Sequence, residues 1–72
     1  MREAARSAAA RLERSGIPEP DASAEVLLSE LLGIGRAELA ASDEPLTPEQ
    51  ASLYEAWVSR RTKREPVQRI LG

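Results

Sequence analysis

Ala24, Leu27, Leu28, Leu31 and Leu32 recur at spacings i, i+3, i+4, i+7 and i+8, the densest run of large aliphatic side chains in the chain. Residues so spaced share one face of an α-helix. The pattern predicts a central helix with Ser23, Glu25, Ser29 and Glu30 turned outward. An apolar stripe of this kind must be covered by neighbouring elements. The rest of the chain has little bulk for the task, because 12 of its apolar residues are alanines and its aromatics are Tyr54 and Trp57 alone. A length of 72 residues suits one thin core, near the lower limit for a domain that folds without a disulfide or metal. Cysteine and histidine are both missing, so helix packing has to suffice.

Glycine and proline divide the chain into helical segments. Ala4, Ala5, Ala8, Ala9 and Leu12 predict a first helix over residues 2–15. Gly16 is placed to end it, with Ile17 returning to Leu12 as in a Schellman cap. Pro18 stops any continuation, and Pro20 suits the first position of helix two, with Asp21 beside its positive end. Gly33, Ile34 and Gly35 make a corner before a short third helix over 36–41 that buries Leu39. Thr47, Pro48 and Gln50 spell an N-cap, a first-position proline and the far partner of a capping box. Leu46 is expected to staple onto Ala51, and Ala51, Leu53, Tyr54, Trp57 and Val58 to form the apolar face of helix four, reaching about residue 63. Pro66 restarts the chain, and Val67, Ile70 and Leu71 share one face of a last short helix. No segment alternates as a strand does, so the fold class is all-α, a small five-helix bundle over residues 1–72.

Chemistry is sparsely signalled. The carboxylates are scattered along exposed faces without a second group to work with, and the hydroxyls have no histidine to activate them. Gly33-Ile34-Gly35 lacks the preceding strand that a phosphate loop requires. We therefore expect no catalytic, cofactor or metal site within these residues. Met1 to Ala10 has no uninterrupted apolar stretch for a signal peptide or membrane span, which together with the lack of cysteine predicts a soluble, cytoplasmic protein. The net charge of −2 is unevenly spread, with basic ends and an acidic middle. Arg60, Arg61, Lys63 and Arg64, joined by Arg69, form the sharpest local feature and are the candidate partner-binding residues, since guanidinium groups clamp carboxylates and phosphates. The competing reading is structural: cations at a helix C-terminus complement its dipole, and some could pair with acidic helix two. Tyr54 and Trp57 are expected in the core.

The run Ala24-Glu25-Val26-Leu27-Leu28-Ser29-Glu30-Leu31-Leu32-Gly33, followed by Arg36 and Leu39, resembles the N-terminal domain of HemK/PrmC-type glutamine methyltransferases. Arg60-Arg61 and then Glu65-Pro66-Val67-Gln68-Arg69-Ile70-Leu71-Gly72 is similar to the segment that leads in that family from the helical towards the catalytic domain. Two positions depart from the pattern: Ser23 stands where an aspartate is usual, and Arg64 where a glycine is usual before Glu-Pro. The resemblance implies an N-terminal domain, with residues 65–72 leading towards a catalytic domain absent from these residues. The parent enzyme would use S-adenosylmethionine to methylate the glutamine amide in the Gly-Gly-Gln motif of class 1 peptide chain release factors. The family's methyl-donor loop and Asn-Pro-Pro-Tyr motif do not occur here, so the fragment itself is expected to recognise rather than to catalyse. Its implied partners are the release factor and its own C-terminal catalytic domain. A purely structural helical cap is the alternative. Nucleic acid is disfavoured by the net negative charge and the shortage of aromatics for base stacking.

Overall fold

The structure, a computed structural model, describes all residues 1–72. Five helices and no strand are present: α1 (Arg2–Arg14), α2 (Pro20–Leu32), α3 (Arg36–Ala41), α4 (Pro48–Thr62) and α5 (Val67–Leu71). The Cα radius of gyration is 11.0 Å, equal to the roughly 11 Å of a compact chain of this length.

Local signals set the helix ends. At the close of α1, Gly16 is left-handed (φ 75°). Its N–H donates to the Glu13 carbonyl, and the Ile17 N–H donates to the Leu12 carbonyl, both at 3.0 Å. This is the paired bonding of a Schellman motif, and buried Leu12 and Ile17 supply its apolar contact. At the start of α4, the Gln50 N–H donates to Thr47 Oγ1 (3.1 Å) while the Thr47 N–H donates to Gln50 Oε1 (2.9 Å), completing the capping box. Glu19, between two prolines, opens α2 in left-handed backbone (φ 50°) with no side-chain cap, a conformation its sequence does not announce.

α2 lies at the centre, touching every other helix. Leu12, Ala24, Leu27 and Leu28 are fully buried, and Ala8, Ala9, Ile17, Leu39, Tyr54, Val58 and Ile70 complete the core. The alanine face of α1 lets the two helices approach closely. α4 runs alongside α1 in the same direction: Arg11 pairs with Glu55 at 2.6 Å, and further along Arg64 reaches Gly16. Tyr54 ties α4 to α2, its hydroxyl donating to the Ala24 carbonyl at 2.8 Å.

Several side chains sit otherwise than the periodicity predicts. Ser23 is buried, because α4 and α5 close over the start of α2 and widen its covered arc. Leu31 and Leu32 are half-buried, since α3 is six residues long and offers only Leu39 to that end of α2. Leu53 is 47% exposed, being about 100° round the helix from Tyr54, which together with Val58 defines the inner line of α4. Ala51 is also exposed, while Leu46 is half-buried against the core and lines the same cleft as Ala51. Trp57 packs on the core edge, half-buried, and Leu71 is exposed at the end of α5.

Candidate partner-binding site

The basic run occupies the corner between α4 and α5, and that corner is a second Schellman motif. The Arg64 N–H donates to the Arg61 carbonyl at 2.8 Å and the Glu65 N–H to the Arg60 carbonyl at 3.3 Å. Arg64 holds the left-handed position (φ 69°) that in α1 belongs to Gly16. The apolar contact that usually accompanies the motif is replaced here by an ion pair. Arg60 Nε donates to Glu65 Oε1 at 2.9 Å, and its Nη2 donates to Oε2. Two parallel bonds fix the planar guanidinium against the carboxylate. The hydrogen bond between them raises the Arg60 guanidinium above its ordinary value and holds the Glu65 carboxyl below its own. The pair therefore supports the corner above the ordinary carboxylate range and weakens as pH falls through the lowered Glu65 value.

The five candidate cations divide by what they touch. Arg60 is engaged with Glu65. Arg61 is half-buried, its Nη1 donating to the Glu65 carbonyl at 3.0 Å and its Nε enclosed without a hydrogen-bond partner. Beside it runs a shallow groove bordered by Pro18, Glu19, Ser23, Val26 and Val67. Arg64 extends its guanidinium to the Gly16 carbonyl at 3.4 Å, so it also caps the end of α1. Lys63 and Arg69 are exposed and make no ion pair. The pairing with acidic helix two is made by Arg36 instead, whose Nη2 lies 2.5 Å from Glu25 Oε1. Arg60 is engaged by Glu65, five residues on, and not by a carboxylate of α2. Arg14 is an addition: it is exposed and free of ion pairs in the last turn of α1, the end to which Arg64 extends. Its separation of 46 or more residues from the run hid it from a reading based on local clustering.

A left-handed arginine carries a backbone cost of about 1 kcal/mol that glycine avoids. Arg64→Gly is expected to stabilise the chain by roughly 0.5–1 kcal/mol, net of the long bond to Gly16, whereas Arg64→Ala gains nothing. Urea midpoints followed by Trp57 fluorescence check both.

The corner at Gly33-Ile34-Gly35 joins two helices, and the Gly33 and Ile34 N–H groups both donate to the Ser29 carbonyl. Those donors are spent inside the fold, so the corner does not fit as a cradle for a nucleotide-like methyl donor. No helix is long and apolar enough to cross a membrane.

Residues 3–72 match the family described as PrmC N-terminal domain. The chain is 45% identical over 63 residues to the release factor glutamine methyltransferase of Rhodospirillum rubrum, covering 86% of this chain and 19% of the relative. It is 40% identical to the protein of that name from Corynebacterium glutamicum, over 97% of this chain and 24% of the relative. With the one from Mycolicibacterium smegmatis the identity is 36%, over 100% and 25% respectively. The chain thus spans about a fifth to a quarter of the length of the curated relatives it matches. No solved structure gives a significant match. With the family pattern running from residue 3 to residue 72 over a five-helix fold, the chain belongs to the PrmC N-terminal domain family.

Proposed function

We propose that this chain is the release-factor-docking domain at the N-terminus of an S-adenosylmethionine-dependent methyltransferase. Its substrate is the glutamine of the Gly-Gly-Gln motif in class 1 peptide chain release factors. The observation that carries this reading is the family match over residues 3–72, together with relatives named release factor glutamine methyltransferase that are four to five times longer. The methyl donor and the amide belong in the remaining length of such an enzyme. Residues 65–72 lead towards that catalytic domain, and the whole works in the cytoplasm, where release factors act. The helical domain supplies a rigid surface that holds the large substrate while its glutamine reaches a distant centre. Binding energy gathered far from the reacting group can in this way be used for positioning. The basic cluster of Arg60, Arg61, Lys63, Arg64 and Arg69 contributes to that surface, with the exposed Lys63 and Arg69 the freest to do so.

A second reading is favoured by one specific feature. Leu71 is exposed and Val67 half-buried on α5, beside the end of the chain. In that reading the domain is a helical cap whose last helix packs on the catalytic domain. The two are separated by the affinity of the full-length enzyme and of an enzyme lacking residues 1–64 for a class 1 release factor, with donor binding as the control. Docking requires the first to fall and the second to hold.

A further inference from the structure

α1 and α4 run in the same direction, so their C-termini emerge together, and the reach of Arg64 to the Gly16 carbonyl ties the two ends. The space above Gly16 is filled by that guanidinium, since a Cβ built on Gly16 would lie 3.3 Å from Arg64 Nη2. Each helix also brings an exposed cation to this end, Arg14 from the last turn of α1 and Lys63 from the cap of α4. Neither has an ion-pair partner, unlike Arg2, Arg11, Arg36 and Arg60. Of the carboxylates near these helix ends, Glu65 is taken by Arg60, and Asp21 lines a separate cleft with Arg6 and Arg36. Glu13 and Glu19 remain.

We infer that Arg14, Lys63 and Arg64 form one steering patch for an acidic protein surface, carried on the release factor that the domain docks. This rests on the docking reading proposed above. Two sequence-distant helix ends supply the charges, so the patch exists only in the folded domain. Lys63 and Arg14 make no ion pair within the fold, whereas Arg60 and Arg61 both bond to Glu65. Unpaired cations at the rim of an interface act mainly on the rate of encounter. An acidic protein is favoured over nucleic acid because Tyr54 is buried and Trp57 half-buried, leaving no aromatic platform for bases.

The test uses the full-length enzyme carrying Arg14→Gln with Lys63→Gln, an enzyme with Arg6→Gln as a control cation elsewhere on α1, and an enzyme lacking residues 1–64. Association and dissociation with a class 1 release factor are followed by stopped flow. At low salt the double variant is expected to associate about 3–10 times more slowly, with its dissociation rate changed by less than about twofold. The difference should vanish near 1 M salt, where the screening length is about 3 Å. Arg6→Gln should match the wild type. An unchanged association rate in the double variant, or an equal loss with Arg6→Gln, overturns the patch. If the deletion also binds as the wild type does, the docking reading itself has failed. If the deletion weakens binding but the double variant does not, docking stands and the patch falls. Retention of structured RNA by the wild type, lost in the double variant without any change in release-factor association, assigns the charges to nucleic acid and overturns the proposal.

Discussion

Leu28→Ala is expected to remove about 3 kcal/mol of folding free energy, a large share of what a chain this small has. Leu28 is fully buried on α2, the one helix that touches all the others. Truncation there loses the transfer energy of the side chain and leaves a cavity that close-packed neighbours fill only in part. A 72-residue chain has a total stability of only about 4–11 kcal/mol by the usual per-residue range. The alanine-rich face of α1 cannot compensate, because Ala8 and Ala9 have no further atoms to move into the space. Leu53→Ala is the control, since that side chain is 47% exposed and should cost less than about 1 kcal/mol. Urea unfolding of both variants, read by Trp57 fluorescence, checks the contrast. Equal losses would contradict the assignment of α2 as the organising helix.

Above about pH 10 the chain is expected to lose stability through Tyr54. Burial first, and the nearby Glu25 carboxylate second, push its phenol above the ordinary value of 10.0. The hydroxyl also donates to the Ala24 carbonyl, a bond that needs the proton. In the unfolded chain Tyr54 ionises near its ordinary value, while in the folded chain it holds its proton to higher pH. The folded state therefore binds more protons in that window. Stability is fully present below about pH 10 and is lost as pH rises from there through the raised value, at up to about 1.4 kcal/mol per pH unit. The chain has one tyrosine and no cysteine, so no other phenol or thiol titrates in the same window. Tyr54→Phe should cost about 1 kcal/mol at neutral pH and flatten the alkaline decline. Denaturant midpoints between pH 8 and 12 check both parts, and a Phe variant with the same alkaline slope as the wild type would contradict them.

The helix boundaries were legible because each is marked by residues whose local chemistry leaves few options. Thr47, Pro48 and Gln50 form their capping box without help from the rest of the fold. Gly16 with Leu12 and Ile17 likewise closes α1 by bonds between near neighbours. What periodicity could not give was the width of each buried arc, which depends on how many helices converge. Ser23 is covered because α4 and α5 meet over it, and Leu32 is only half-covered because α3 is short. The corner after α4 was partly concealed as well. Its Schellman bonding is made with an arginine in the glycine position and an ion pair in place of the apolar contact, so the usual signals are absent. The basic run was visible as composition, but its division into structural and free charges is a matter of geometry. Arg60 meets a carboxylate five residues on, Arg64 meets a carbonyl 48 residues back, and Arg14 joins the group only through the parallel course of α1 and α4. The resemblance carried by residues 24–33 and 60–72 reached the family directly, because it rests on residue identities in order and not on packing.

As proposed, these five helices hold the release factor for a distant catalytic centre. That role is tested most directly by the equilibrium dissociation constant of a class 1 release factor for the full-length enzyme and for the enzyme without residues 1–64. Docking predicts at least about a tenfold weaker complex on deletion, equivalent to about 1.4 kcal/mol, with S-adenosylmethionine affinity unchanged. Equal release-factor affinity in the two proteins would contradict the account and leave the helical cap as the function of the domain.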